Sequence, residues 1–235
     1  MWPIRDINPT RRPPVMTRLL LMANLVLFVP VFWARYVLGS DVLYSAIIYS
    51  LGLVPARLLA LQDLHALFTS MFVHADLLHI IGNIVYLHIF GDNVEDTLGR
   101  VPYLAFYLAC GLAATVVHVL VCLLVNPALL AVPLVGASGA ISGLLGAYMV
   151  FFPRARIMTA VFYYGYTVIE VKALYYIGFW FVYQLLWGLL VAATGMPVAV
   201  AFWAHIGGFA TGVMLSLPLR QRVRAAALAA AWEVW

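Results

Sequence analysis

Four polar side chains of types that carry out acyl transfer stand within strongly apolar stretches of this sequence. Ser138 lies in GASGAISG, and His205 lies in AHIGGFATG. His79 and Asn83 are four residues apart, so on a helix they share one face, one turn apart. A serine hydroxyl becomes an effective nucleophile when a neighbouring base, usually a histidine, accepts its proton. The residue types therefore fit a nucleophile, Ser138, and a base, His205, with two further hydrogen-bonding groups beside them.

Glycines around the serine and the histidine indicate how these two side chains are brought together. Both runs carry glycines at helical spacing: Gly139 and Gly143 in the first, followed by Gly146 just after it, and Gly208 and Gly212 in the second. Helices with glycine faces can approach until their backbones nearly touch, which would place Ser138 within hydrogen-bonding distance of His205. Backbone N–H groups at the glycine-rich helix start, including that of Gly136, would face a developing oxyanion, helped by the helix dipole.

The elements that must position these side chains are membrane helices. The 235 residues are 66% hydrophobic and 9% charged, with a mean hydropathy of +1.02, far outside the range of ordinary soluble domains. Apolar runs long enough to cross a hydrocarbon core, which takes about 20 helical residues, recur along the chain at about 17–35, 75–91, 102–124, 138–152, 173–193 and 199–217. The runs lack the alternation of barrel strands. The sequence therefore predicts an all-α, polytopic bundle of six transmembrane helices.

The basic residues predict the orientation of this bundle. Apart from Arg35 and Arg57, every arginine and lysine precedes the first span, follows the last, or lies between spans two and three or four and five. The positive-inside rule then places both termini in the cytoplasm and predicts a multi-pass protein of the plasma or inner cell membrane. We expect a cytoplasmic N-terminal segment (1–16), a six-helix domain (17–218) and a basic cytoplasmic C-terminal tail (219–235).

With that orientation, the four polar side chains share one depth, below the outer surface of the membrane. Taken singly, a serine in a membrane helix is more often a packing residue than a functional one. A single histidine or asparagine is about as often a structural hydrogen-bonding residue as a functional one. Polar groups inside a membrane are costly, so a cluster at one depth favours a functional site. Because no carboxylate is placed to orient His205, a dyad of Ser138 and His205 is the simplest interpretation.

Other polar residues are expected to be structural. His118 is a rival base, but no glycine face would bring it towards Ser138. Glu95 and Asp96 are expected to bond helix ends or nearby arginines. Asp76 immediately precedes an apolar run, which is typical of a helix N-cap.

These motifs resemble those of the rhomboid family of intramembrane serine proteases, in its bacterial, six-helix form. Four motifs occur in the family's order over about residues 70–218. In chain order they are the HxxxN of His79 and Asn83, preceded by His74, then FGDNVEDTLG, GASGAISG and AHIGGFATG. GxSG alone is a weak signal. The combination is highly specific.

The resemblance implies a serine-type endopeptidase that cuts transmembrane helices of membrane-protein substrates near their outer ends. Ser138 would be the nucleophile and His205 the general base. His79 and Asn83 would be groups on the oxyanion side. Besides the resemblance, we expect Gly136 to stabilise the oxyanion or substrate, and His74 and Gly139 to support the site, with a structural role favoured for His74. The implied partners are transmembrane substrates, entering near spans two and five, and the lipid bilayer. No cofactor, metal or nucleic acid is implied, and the oligomeric state stays open.

Two family features are missing, and two alternatives remain. The aromatic residue that many members carry four positions after the serine is Ser142 here, which leaves the packing of His205 open. The Trp-Arg pair of the first outer loop is absent from 36–73.

One alternative is a non-catalytic rhomboid-like protein that binds transmembrane helices. The other, less favoured, is a metalloprotein with zinc on His74, His79 and His205.

Overall fold

The computed structural model describes residues 2–162, 165–196 and 200–221. The predicted helical membrane bundle is confirmed, because each of the six predicted spans coincides with a helix. Five are long and apolar enough to cross a membrane: Val15–Val37, Leu77–Leu98, Arg100–Leu124, Ala173–Thr194 and Phe202–Leu219. The sixth, Ser138–Phe151, has only 14 residues. Residues 222–235 of the predicted C-terminal tail lie outside the described residues.

The elements are numbered in chain order. The helices are α1 (Val15–Phe32, continued by a π turn, Trp33–Val37), α2 (Asp41–Leu51), α3 (Pro55–Leu59), α4 (Ala66–Thr69), α5 (Leu77–Leu98), α6 (Arg100–Leu124), α7 (Ser138–Phe151), α8 (Ala173–Thr194) and α9 (Phe202–Ser216). Short 3-10 turns cover Pro127–Ala131 and Leu217–Leu219, and the strands are β1 (Trp2–Asp6), β2 (Arg156–Phe162) and β3 (Tyr166–Lys172).

The three strands form an antiparallel sheet that the sequence analysis missed. Their order is β1-β2-β3, with Trp2 opposite Ala160 and Arg156 opposite Lys172. The sheet follows the C-terminal end of α7 and so lies at the opposite end of that helix from Ser138. The run YTVIEVK is rich in β-branched residues and is the signal that could have revealed a strand.

α7 is the short central helix of the bundle. All but two of its residues, Ser138 and Met149, are buried. At about 1.5 Å per residue it is roughly 21 Å long, less than the ~30 Å hydrocarbon core. The helix is therefore too short to cross the hydrocarbon core from one surface to the other.

The predicted close approach of the two glycine-bearing helices is confirmed. A Cβ atom on Gly208 would overlap the carbonyl oxygen of Gly139, and one on Gly212 would overlap that of Gly143. On the other helix, a Cβ on Gly146 would lie 2.6 Å from the carbonyl oxygen of Phe209. α7 and α9 thus touch backbone to backbone over about two turns of α7.

Carboxylates bond helix ends, as expected. Asp76 accepts a 2.9 Å hydrogen bond from the backbone N–H of His79 and so caps α5. Glu95 accepts hydrogen bonds from the backbone N–H groups of Met16 and Thr17, at 2.8 and 2.7 Å. These bonds satisfy N–H groups that a helix start leaves without an intrahelical partner.

Asp6 links the sheet to the far end of α7. Its carboxylate accepts hydrogen bonds from the Tyr148 hydroxyl at 2.6 Å and from the Asn93 side-chain amide at 3.1 Å. Partial burial raises the pKa of the Asp6 carboxyl to about 6. The helix that begins with Ser138 is therefore fixed to the N-terminal strand at its other end.

We predict that Gly212→Ala destabilises the protein by about 1–3 kcal/mol, because the added methyl overlaps backbone atoms that cannot rotate away. The measurement is the free energy of unfolding in detergent micelles. Gly178→Ala is the matched control, since a Cβ at Gly178 in α8 meets nothing within 4 Å. Equal stability of the two variants would contradict the backbone contact.

We also predict that Asp6 makes stability depend on pH. Because its pKa is raised from 3.8 to about 6 in the folded state, protonation favours folding. The contribution is fully present below about pH 3.8 and is lost as the pH rises through about 6. Asp6→Asn should remove this part of the slope when unfolding free energy is measured against pH. An unchanged slope would argue against the raised pKa.

Candidate active site

Ser138 and His205 face each other across the glycine contact. Ser138 is the first residue of α7, and His205 is the fourth residue of α9. Their reactive atoms, Ser138 Oγ and His205 Nε2, are 2.8 Å apart. This is an ordinary hydrogen-bond length for a hydroxyl donating to an imidazole nitrogen, so the geometry suits proton transfer from the serine.

Gln184 bonds the other ring nitrogen of His205, and the sequence analysis missed it. Its Oε1 lies 2.8 Å from His205 Nδ1, and its side chain is buried in α8. When Nδ1–H donates to this oxygen, Nε2 is left with a lone pair to accept the serine proton. An amide therefore takes the place of the orienting carboxylate that the sequence lacks. The signal was a polar residue alone in the apolar run FWFVYQLLWGLL.

Trp180 packs beside the histidine ring, one turn before Gln184 on α8. The ring centroids of Trp180 and His205 are 6.0 Å apart, with planes tilted by 35°. Ser142 instead donates a 2.6 Å hydrogen bond to the carbonyl oxygen of Ser138 within α7. The packing of His205 that the sequence left open is therefore supplied by α8.

His79 and Asn83 lie on the cavity side of α5. Asn83 donates a 2.8 Å hydrogen bond from Nδ2 to the backbone carbonyl of His79. Gly136 has φ +115° and adjoins the His79 ring, where a Cβ on the glycine would lie 2.5 Å from Nε2. Its backbone N–H donates to the Ser70 carbonyl at 2.8 Å. The N–H of Gly136 was predicted to face the oxyanion, but in the structure it is already bonded to Ser70. The glycine instead leaves room for the imidazole of His79.

His74 and Gly139 contact the start of α7 and its neighbour α6 rather than the cavity. The His74 ring is fully buried; Nδ1 donates to the Phe72 carbonyl at 3.2 Å, and Nε2 accepts a long 3.5 Å contact from the Ala137 N–H. Burial lowers the pKa of His74 to about 3, so it stays neutral near pH 7. A Cβ on Gly139 would lie 2.6 Å from that of Ala114 on α6. Both residues thus fix the start of α7.

A cavity of about 740 Å³ is lined by the four polar residues predicted to cluster. Its wall includes Ser138, His205, His79 and Asn83, together with Trp180. Most of the remaining wall is apolar. A largely apolar cavity with a few convergent polar groups is typical of small-molecule and substrate sites.

The rival assignments gain no support from the geometry. His118 also borders the cavity, but its Nε2 contacts Cys122 Sγ at 3.4 Å within α6. Over residues 2–162, 165–196 and 200–221, no three His, Cys, Asp or Glu side chains are grouped so that they could hold a metal ion. His74, His79 and His205 therefore do not form the zinc site considered from the sequence.

Two curated proteins are similar to this chain. RHOMBOID-like protein 6, mitochondrial, of Arabidopsis thaliana is 29% identical over 153 residues, which cover 65% of this chain and 43% of that protein. Rhomboid protein 1, mitochondrial, of Saccharomyces cerevisiae is 31% identical over 93 residues, which cover 40% of this chain and 27% of that protein. The matched regions span less than half the length of each relative.

The predicted location in a plasma or inner cell membrane, with cytoplasmic termini, is contradicted by these relatives. Both are mitochondrial by name, and one is from a plant and the other from a yeast. Their names place these two relatives in mitochondria rather than in a plasma membrane. The physical reason for the error is that charge asymmetry orients helices across a membrane without identifying which membrane it is.

The match to a family model covers the whole of the site. The model of the Rhomboid domain matches residues 61–222, which include every residue from α5 to α9 discussed above. This is more than half of the chain, and so the chain belongs to the rhomboid family.

Proposed function

We propose that this protein is an intramembrane serine endopeptidase that cuts the transmembrane helices of membrane-protein substrates. The observation that carries the proposal is the 2.8 Å separation of Ser138 Oγ and His205 Nε2 beside a cavity within a helix bundle. Membership of the rhomboid family supports the reaction class. The non-catalytic alternative has no observation in its favour, because hydroxyl and imidazole are both present at reacting distance.

The reaction follows from the two facing atoms. Ser138 Oγ attacks the carbonyl carbon of the scissile bond while its proton moves to His205 Nε2. The imidazolium then gives that proton to the leaving nitrogen, the C–N bond breaks, and the acyl group stays on Oγ. Water adds to the acyl carbon as Nε2 takes one of its protons. Return of that proton to Oγ releases the new carboxyl end and restores the enzyme.

Stabilisation of the oxyanion is assigned to the start of α7 and to α5. The first N–H groups of α7 have no intrahelical acceptor and stand at the positive end of the helix dipole. The Asn83 amide uses one hydrogen on the His79 carbonyl and keeps a second for the substrate. The His79 ring lies beside them on the cavity wall. Donors placed before the reaction begins lower the barrier to the tetrahedral intermediate.

The substrate helix is expected to enter between α5 and α8. These helices are joined by a 2.9 Å hydrogen bond between the hydroxyls of Tyr86 and Tyr176. The helix α7, which begins with Ser138, packs against both α5 and α8, and this boundary therefore adjoins the nucleophile's helix. A backbone carbonyl of a helix is held in its own hydrogen bonds, so the substrate must unwind locally before Ser138 can attack.

We predict that Ser138→Ala and His205→Ala each reduce cleavage of a model transmembrane substrate by at least about 1000-fold. The measurement is product formation in proteoliposomes, with fluorophosphonate labelling of Ser138 as a second readout. Ser142→Ala is the matched control, because that hydroxyl bonds only the helix backbone one turn away, and it should cleave as wild type does. Cleavage by Ser138→Ala at the wild-type rate would rule out the proposed reaction.

We predict that Asn83→Ala lowers kcat by about 10- to 100-fold with little change in KM, because the lost donor acts mainly in the transition state. Asn24→Ala is the control. Asn24 makes the same type of bond, from Nδ2 to the carbonyl of Leu20 four residues earlier, at 2.7 Å in α1. Equal losses in the two variants would show that Asn83 acts through helix stability alone.

A further inference from the structure

α8 places two side chains against His205, and they act on different parts of its ring. Gln184 meets Nδ1 at 2.8 Å, and Trp180 lies beside the ring with centroids 6.0 Å apart. The two residues are four apart and so share one helix face. We propose, resting on the function proposed above, that Gln184 is the positioning residue that fixes the tautomer and orientation of His205.

The placement of Gln184 is held by independent contacts between α8 and α9 on either side of it. Towards the sheet, the rings of Phe181 and Phe209 stack with centroids 4.4 Å apart. Towards the other end, Trp203 Nε1 donates a 3.1 Å hydrogen bond to the Gly188 carbonyl. Because packing on both sides sets the register of the helices, the amide is aligned with His205 before substrate arrives.

Burying the polar side chain of Gln184 in a membrane helix costs free energy unless a partner compensates for it. Its side chain is only 6% exposed, and a buried amide without a partner costs free energy in an apolar environment. Gly188 and Val191, on the same face of α8, are apolar. The bond to His205 provides that compensation, and replacing the amide with an apolar side chain tests whether the bond serves catalysis or only packing.

The chemistry of the amide suits this task. Oxygen Oε1 can only accept, so it selects the imidazole with hydrogen on Nδ1 and the lone pair on Nε2, facing Ser138 Oγ. When Nε2 takes the serine proton, the bond at Nδ1 persists and stabilises the cation through a dipole. The ring therefore needs no reorientation at any step.

The first part of the test compares kinetics. Gln184→Leu keeps similar volume without an acceptor and should lower kcat by about ten- to a hundredfold, with KM nearly unchanged. Gln184→Glu keeps an acceptor at the same position and should restore most of the activity. Loss of activity in Gln184→Glu equal to that in Gln184→Leu would overturn the proposal.

The pH profile distinguishes positioning from packing. In Gln184→Glu a carboxylate beside the imidazole stabilises its protonated form, so the acidic limb of kcat/KM should move to higher pH by about one unit or more. Other titratable side chains on the cavity wall are common to all variants: Tyr44, Asp76, His79, Tyr86, His118 and Cys122. An acidic limb at the wild-type pH in Gln184→Glu would contradict direct contact with the ring.

The second part of the test does not depend on proteolysis. Nitrogen chemical shifts of ¹⁵N-histidine-labelled protein report the tautomer of each ring, and the His205 signals are assigned by their loss in His205→Asn. Wild type should show a protonated Nδ1, and Gln184→Leu should show a mixture of tautomers. Trp203→Phe, which removes a different hydrogen bond between α8 and α9, should keep the wild-type tautomer.

These readouts separate the two proposals. If wild type cleaves and Gln184→Leu matches it in kcat and tautomer, the positioning role is wrong and the protease stands. If wild type neither cleaves nor labels while Gln184→Leu alters the tautomer, the protease is wrong and the positioning role stands. An unaltered tautomer in Gln184→Leu overturns the positioning role whatever the activity.

Discussion

The backbone contact between α7 and α9 is the constraint on which the rest of the site depends. Lipid tails are as apolar as most side chains, so apolarity alone gives membrane helices little reason to associate, and close packing must supply the attraction. Gly208 and Gly212 leave no space for a Cβ against the carbonyls of α7. That closeness sets the 2.8 Å separation of Ser138 and His205, because the two side chains extend from helices whose axes cannot move apart without losing the contact.

A contact between two helices fixes their separation but not the rotation or depth of the short α7. Polar bonds at its two ends do this. At the serine end, the N–H of Ala137, just before the helix, contacts His74 Nε2. At the other end, Tyr148 donates to Asp6 of the sheet. The small sheet thus serves the site, since it holds the helix whose first residue is the nucleophile.

The sequence was informative where local periodicity decides the outcome. The i, i+4 spacing of His79 and Asn83 and the glycine spacing on two helices, together with depth and the family resemblance, predicted four polar residues that line one cavity. Gln184 and Trp180 could not be placed in this way, because their role depends on how α8 rotates against α9, and an apolar helix exposed to lipid has no strong periodic signal. The Gly136 N–H was misjudged for a similar reason, since its acceptor on Ser70 is far away in sequence.

The use of an amide rather than a carboxylate beside His205 follows from the surroundings. An ionised carboxylate buried in a membrane bundle is costly unless it is paired, and it would bias the imidazole towards its charged form before substrate binds. A neutral amide gives the same directional acceptor at Nδ1 without that permanent charge. At Nδ1 the cation formed during the reaction is then stabilised by the amide dipole, which is weaker than an ion pair but is already oriented. Preorganised dipoles in a site of low polarity are the form of electrostatic stabilisation that requires least rearrangement, and a site assembled from glycine contacts and one amide provides it.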